Sequence, residues 1–539
     1  MLAGHLLVRC LEAHGVERVF GVPGESYLAV LDGMYGSGIP FHNARHEGGA
    51  AFMAAAYGKL TGRPGVAMVT RGPGATNASI GVHTARQDSS PMVLFVGQVD
   101  SHHRDREAFQ EIDYRAFFGT VAKAVFEIDH AERVPELVTR AFALAANGRP
   151  GPVVVSLPEN VLRDETDAEP LPPVRLAESV PAPGALGEAL DLLRTAKRPL
   201  VIAGGGAWSN EARAALERFA EGARLPVAVA FRSQDLLDNR SLSFIGDAGI
   251  GKAPHVRALI DDADLVLAFG VRFGEILTDG YELFRGGTAK LVHVHPSADE
   301  IGKVVVPDVA LCAGLGATLA ALAEANVDAS AWSERTANAR AAWETSLDAP
   351  PTGQALDMAA VMRRLRDVLP PDAILTNGAG NFSTWSNRHF LFGADARLLA
   401  PQSGSMGYGV PAAVMAKLVH PERTVVCLAG DGDAQMTLME LATGVQYGAA
   451  PIVLVVNNGT YGTIRMHQER DYPDRTVGTA LRNPDFAALG RALGAHGERV
   501  ERTADFAPAL ERALASSTGA VLDLVVPGLL GPDRVVDVG

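Results

Sequence analysis

The sequence predicts the α/β fold class: doubly wound parallel sheets distributed over three domains. Three observations predict it. Strand-length apolar runs alternate with longer amphipathic segments along almost the whole 539-residue chain. Gly-rich turns follow several of those runs, as the strand-to-helix connections of α/β proteins do. Two proline-bearing stretches, 163–183 and 346–353, interrupt the alternation, because proline removes amide donors and blocks helix.

In the first third, the runs at 40–44, 65–70, 92–96 and 152–157 read as strands; the middle has 199–203, 226–230, 265–270 and 290–294. The last third has 373–376, 424–428, 452–456 and 521–525. These runs are continuously apolar rather than alternating, which marks strands buried on both faces and hence parallel sheets covered by helices. Cutting at the two proline-bearing stretches gives domains at 1–165, 184–340 and 354–539, each of ordinary domain size. The first and third segments share one plan of helix, strand, Gly-rich turn, helix and strand.

Composition narrows the function. Hydrophobic residues make up 47%, charged residues 20% and aromatics 6%, enough for several cores and too little charge for a disordered chain. The net charge of −14 argues against nucleic acid or an anionic membrane as the main partner. Cys10, Cys312 and Cys427 lie far apart without a CxxC pair, which argues against a disulfide framework or structural zinc and for a reducing, cytoplasmic setting. No apolar run approaches the ~20 residues that span a bilayer. The N-terminal apolar positions are broken by His5, Arg9 and Glu12, unlike a secretory signal.

The third segment carries the chemistry. The run at 424–428 leads into Ala429-Gly430-Asp431-Gly432-Asp433, then a predicted helix through Met436, Leu438, Met439, Leu441 and Val445, with Gly448 as its left-handed cap. The strand at 452–456 ends in Asn457-Asn458-Gly459-Thr460. A right-handed βαβ crossover puts both strand ends on one sheet edge. There the Asp431 carboxylate, the Asn458 amide oxygen and the carbonyl of Thr460 converge as hard oxygen ligands, suited to Mg2+ or Ca2+. Gly430 and Gly432 let the backbone approach a ligand, and a helix N-terminus favours phosphate. Gly-Asp-Gly alone is most often a turn; Asn-Asn one βαβ unit downstream reverses that reading.

This arrangement resembles the signature of thiamine-diphosphate enzymes. The stretches RHEGGAAFMAAAYGKLTGRPGVAMVTRGPGATN, SSPMVLFVGQV, AFQEID, GSMGYGVPAA and GDGDAQMTLMELATGVQYG resemble acetolactate (acetohydroxyacid) synthase catalytic subunits, essentially over the whole chain. The resemblance implies three flavodoxin-like domains: pyrimidine-binding, central and diphosphate-binding. It implies thiamine diphosphate and Mg2+ as cofactors, with Asp431, Asn458 and the Thr460 carbonyl on the metal. Gly432 and Asp433 would contact the diphosphate, and Met406 would bend the cofactor. Gly380, Asn381, Phe382 and Gly404 align with cofactor-contacting positions. Phe109, Gln110 and Lys123 match positions near the substrate.

Glu47 would be the acid on the cofactor's aminopyrimidine. By itself it reads as a first-turn acid favoured by the helix dipole; beside a diphosphate motif it becomes the candidate proton-sharing group, with burial expected to raise its pKa.

Two departures stand out. Asn381-Phe382 replaces the usual Gln-His, and Pro23-Gly24-Glu25-Ser26 puts an acid where synthases have PGG, making Glu25 a substrate-facing candidate. In the central segment Gly204-Gly205-Gly206 and Arg272 fit a nucleotide site weakly. His293-Val294-His295 stands where an acid commonly ends the strand, so FAD is not favoured. The His pairs, including His102-His103, read as surface or structural groups rather than metal ligands.

The expected activity is decarboxylation of a 2-oxoacid, foremost pyruvate, with carboligation to a second carbonyl. The alternatives are a non-ligating decarboxylase, a carboligase with another acceptor (benzoylformate decarboxylase-like), or a silent thiamine-diphosphate-binding protein. Glu47 and Asp431 lie on different domains, so a homodimer or homotetramer with sites shared between subunits is expected.

Overall fold

The computed structural model describes every residue except 285, 286, 288, 533 and 536–539. The first sheet comprises β1 (Val19–Gly21), β2 (Phe41–Asn43), β3 (Gly65–Val69), β4 (Met92–Gln98), β5 (Ala124–Glu127) and β6 (Pro152–Pro158), in the order β2-β1-β3-β4-β6-β5. The second comprises β7 (Pro199–Ala203), β8 (Val227–Val229), β9 (Phe244–Asp247), β10 (Leu265–Phe269), β11 (Lys290–Val294) and β12 (Val309–Leu311), in the order β12-β11-β10-β7-β8-β9. The third comprises β13 (Ile374–Asn377), β14 (Arg397–Leu399), β15 (Val425–Gly430), β16 (Ile452–Asn457), β17 (His496–Val500) and β18 (Ala520–Val525), in the order β14-β13-β15-β16-β18-β17.

These three six-stranded sheets are parallel; a further two-stranded sheet pairs Leu529–Gly531 antiparallel with Arg534–Val535. The third repeats the first strand for strand, while the central sheet has the order of dinucleotide-binding folds. Strand order reverses between β1 and β3, between β7 and β10, and between β13 and β15. Crevices open beyond the strand ends at such reversals.

Central strands such as β4 and β15 are buried at every residue, which is why they read as unbroken apolar runs. β5, β9, β12, β14 and β17 depart from that pattern; β1 keeps it but is only three residues long. All but β1 are sheet edges, where one flank needs no partner and polar residues are tolerated; β17, with the sequence HGERV, shows this plainly.

Five helices position the site: α1 (Glu47–Thr61), α2 (Gly72–Asp88), α3 (Gly409–Val419), α4 (Asp431–Gln435) and α5 (Glu440–Gln446). His46 caps α1, its Nδ1 accepting from Gly48 N at 3.0 Å. α1 carries no amphipathic stripe because it is buried nearly all round. Ala50–Ala56 of α1 and Ala412–Ala416 of α3 share one apolar core, through which the first and third domains meet.

The single helix expected after Asp433 is instead α4 and α5, separated by turns. Thr437 Oγ1 donates to Gly407 O at 2.6 Å, and Glu440 N donates to Thr437 O at 2.9 Å. These contacts tighten the chain where Met436 and Met439 stand exposed. Gly448 follows α5 at φ +65°, the expected left-handed cap. Among the described residues no helix is long and apolar enough to cross a membrane.

Candidate active site

A cleft of about 820 Å³ opens at the β13/β15 reversal, within the size of small-molecule sites. β15 runs directly into α4, which makes Asp431 the first helical residue. Asp431 is buried; its Oδ1 accepts from Gly432 N at 2.8 Å. Its Oδ2 accepts from Gly459 N at 2.8 Å and Asn483 Nδ2 at 2.6 Å. Burial pushes the Asp431 carboxyl up, and these donors pull it back.

Asn458 donates from Nδ2 to Leu529 O at 2.9 Å, which turns its Oδ1 toward Thr460 N at 3.1 Å. Thr460 is fixed by its hydroxyl to Thr479 O at 2.9 Å and by an antiparallel bridge to Ala480. Gly432 must lack a side chain, since a Cβ there would stand 2.4 Å from the Tyr461 ring.

Asp433 lines the same cleft, but its carboxylate has a structural task. It accepts from Gly407 N at 2.8 Å and Ala379 N at 3.2 Å, tying two cleft loops to α4, and burial pushes it up to about 7. Met406 is half-buried on the cleft wall, near Gly404 and Gly380. The Phe382 ring packs against Gly430, and Asn381 turns its amide to Met466 Sδ at 3.4 Å. The Asn381-Phe382 departure thus makes this wall apolar.

Nothing in the sequence singled out Asn483. It bridges Asp431 and Asn457 (2.8 Å to Asn457 Oδ1) and accepts from Gln435 at 3.0 Å, from a loop without periodicity. Among the described residues no group of three or more His, Cys, Asp or Glu side chains fits a metal ion. A cation here would draw on Asp431 together with amide and carbonyl oxygens, the donor set of Mg2+ rather than zinc.

The first domain places Glu47 at the start of α1, immediately beyond β2. Its Oε2 accepts from Asn77 Nδ2 at 2.9 Å. Within one chain Glu47 is only half-buried, short of the burial expected for it, and it does not line the cleft that holds Asp431. At the β1/β3 reversal, Glu25 is 69% exposed with Oε1 3.3 Å from Arg71 Nη1, and Arg71 Nη2 reaches Glu159 at 2.6 Å. Phe109 is 74% exposed. Gln110 adopts φ +67°, its carbonyl accepting from Gly72 N at 2.9 Å.

Lys123 is not brought to this edge. It immediately precedes β5, at the opposite, amino-terminal edge of the parallel sheet from the loops after β1, β2 and β3. Its Nζ donates to Asn147 O and, at 2.9 Å, to Arg149 O. Burial, with Arg86 and Arg149 nearby, pushes it down to about 8. The substrate placement of Lys123 is corrected accordingly: it ties down loop carbonyls ahead of β6.

In the central domain, Gly205 and Arg272 flank a second cleft, and Arg272 Nη2 donates to Gln87 O at 2.7 Å. His293 and His295 are buried, one against Val271 O at 2.9 Å, and burial pushes both down, His295 to about 4. They are neutral structural rings at a strand end where a ribose-binding carboxylate would be useful, and Glu300 in this cleft is paired with Arg149 at 2.8 Å. His102 and His103 are exposed.

Three family models match in succession. The N-terminal TPP binding domain of thiamine pyrophosphate enzymes covers residues 1–117, the central domain 186–322 and the C-terminal TPP binding domain 378–524. An acetolactate synthase large subunit from Parasynechococcus marenigrum (strain WH8102) is 34% identical, over 96% of this chain and 86% of the relative. One from Corynebacterium glutamicum is 33% identical over 98% and 87%. The acetolactate synthase isozyme 2 large subunit of Escherichia coli (strain K12) is 31% identical over 97% and 95%. With an oxygen-donor cleft at the strand reversal of its last sheet and this likeness along its length, the chain belongs to the thiamine pyrophosphate enzymes, beside the acetolactate synthase large subunits.

Proposed function

We propose that the chain catalyses thiamine-diphosphate- and Mg2+-dependent decarboxylation of a 2-oxoacid, foremost pyruvate, with carboligation to a second carbonyl, as the name acetolactate synthase describes for its relatives. The observation that carries this reading is the convergence of buried Asp431 with Asn458 and Thr460 on one cleft. When bound, thiamine diphosphate supplies the nucleophilic carbon and the electron sink for CO₂ loss. Asp431, Asn458 and the Thr460 carbonyl would hold Mg2+, whose charge would offset that of the diphosphate. Gly432 would allow close backbone approach, and Met406, with Gly380, Asn381, Phe382 and Gly404, would form the wall that sets the cofactor's pose. Glu47 would hold and exchange a proton at its carboxyl toward the aminopyrimidine. Glu25, Phe109 and Gln110 border the approach from the first domain, with Arg71 offering positive charge to a 2-oxoacid carboxylate.

The cleft of one chain is lined wholly by residues beyond position 378, while Glu47 lies outside it. This supports a homodimer, pairing further into a homotetramer, in which Glu47 of one subunit completes the cleft of the other across an isologous interface. The working domain units are 1–165, 184–340 and 354–539. FAD is left out of this reading, because the neutral His293 and His295 give no ribose-binding acid. Three free cysteines fit a cytoplasmic setting.

The test is product analysis with thiamine diphosphate, Mg2+ and a panel of 2-oxoacids, following CO₂, acetaldehyde and acetolactate together. CO₂ with acetolactate from pyruvate is expected. Acetaldehyde without acetolactate would sink the carboligation, and no CO₂ from any member of the panel would sink the whole reading.

A further inference from the structure

Helix α5 follows the Asp431 loop in the chain, yet its polar side chains serve the first domain. Tyr447, just past α5, accepts at Oη from Asn43 N at 2.9 Å, and Gln446 Oε1 accepts from Arg45 Nη2 at 2.6 Å. Between these contacts and α4 lies Glu440, 0% exposed. Its carboxylate accepts from Arg45 N at 3.0 and 3.1 Å, from His46 N at 3.0 Å and from Thr443 Oγ1 at 2.7 Å.

Those two peptide N–H groups belong to the residues immediately before Glu47. N–H groups at a helix entry have no partner within the helix and must find one elsewhere. Here a single carboxylate from another domain fixes both peptide units that aim the Glu47 side chain. Residue 49 shows how closely the fit is drawn: a Cβ on Gly49 would stand 2.3 Å from Glu440 Oε1. Apolar contact between α1 and α3 already joins the two domains. A carboxylate is costly to bury, so its presence at this spot calls for a task beyond adhesion.

We propose that Glu440 is a positioning residue for Glu47, holding the Arg45–His46 peptides so that the Glu47 carboxyl meets the aminopyrimidine in a fixed pose. The proposal rests on Glu47 being the proton-exchanging acid. Hydrogen-bond geometry, more than charge, carries the effect. An amide oxygen at position 440 can still receive both N–H groups, and Thr443 can turn its hydroxyl to accept from the new NH2. An aspartate keeps the charge but is one methylene too short to reach.

The experiment compares Glu440→Gln, Glu440→Asp, Glu440→Ala and Gly49→Ala in the full-length protein. Four quantities are measured: hydrogen exchange of the segment 41–50 without cofactor, thiamine diphosphate affinity with Mg2+, deuterium exchange at C2 of the bound cofactor, and melting temperature. The Asp, Ala and Gly49→Ala proteins should lose amide protection at 45–46. Their C2 exchange should slow by roughly 100-fold, the scale of an ångström misplacement, while affinity stays within about 3-fold because the metal and diphosphate contacts lie elsewhere. Glu440→Gln should stay within about 10-fold of the parent, the rate equivalent of one lost neutral hydrogen bond.

Normal C2 exchange in Glu440→Asp, or Gln as damaging as Ala, would overturn the proposal. So would a loss confined to melting temperature and affinity. Glu47→Gln run in parallel separates the two ideas. If it leaves C2 exchange intact, the acid assignment falls and the proposal with it; if it is impaired while every Glu440 variant is normal, the proposal alone falls.

Discussion

Two inactive chains should make an active enzyme. Glu47→Gln removes the acid and leaves the Asp431 cleft whole; Asp431→Ala does the reverse. The cleft of each chain draws its lining only from residues beyond 378, and on the proposed shared-site reading each working centre takes Glu47 from one subunit and Asp431 from another. In a mixed dimer one centre combines both defects and the other combines neither. Random assortment of equal amounts makes about half the dimers mixed, each with one of two centres intact, so activity should return to about one quarter of wild type. The assay is acetolactate formation from pyruvate after dissociation and re-association of the two variants, with subunit exchange verified by native mass spectrometry of isotopically distinct chains. If both groups served one centre within a single chain, every centre in a mixed dimer would carry a defect. Activity below about one hundredth of wild type after full exchange would therefore refute the shared centre.

Other outcomes follow from individual side chains. Asp431→Ala and Asn458→Ala should each weaken thiamine diphosphate binding at least 10-fold, about 1.4 kcal/mol. Excess Mg2+ should partly restore it, as calorimetry at two Mg2+ concentrations would show. Lys123→Met should leave kcat/KM within about 2-fold but cost about 1–3 kcal/mol of stability by leaving the Asn147 and Arg149 carbonyls unserved, seen as a lower melting temperature. Asp247, the last residue of β9, is pushed by burial to about 7. The folded state therefore holds this proton more tightly than the unfolded chain, and stability declines as pH rises from about 4 to about 7, then levels off. Asp247→Asn should remove that decline and stabilise the protein by about 2–4 kcal/mol above neutrality. Near pH 4 it should have little effect, and thermal scans giving the same gain at both pH values would exclude this account.

The meeting of Asp431 with Asn458 and Thr460 on one cleft was legible because its parts lie within one βαβ unit. Asp431 and Asn458 sit at the ends of adjacent buried strands, and the right-handed crossover leaves them one place to meet. Asn483 and Glu440 were invisible for the opposite reason. Each acts across space, on a loop or a domain that no periodicity connects to it. Lys123 misled because local likeness does not say which edge of a parallel sheet a residue occupies; its position ahead of β5 decided that. The single helix after Asp433 failed because apolar spacing at Met436 and Met439 marks a face without saying what it faces, and both are exposed in one chain.

The apolar core shared by α1 and α3 has a consequence for how the enzyme behaves in dilute solution. Ala50, Ala51, Ala54 and Ala55 belong to the same buried core as Ala412, Ala413 and Ala416, and close-packed cores do not deform by degrees. That packing resists a rearrangement within one chain that would carry Glu47 into the cleft holding Asp431, which Glu47 does not line. Under the proposed sharing of sites, turnover per molecule becomes a property of encounter, expected to rise with protein concentration until pairing saturates and to fall away below it. An assay run far below the pairing constant would report a nearly dead protein from a perfectly folded one.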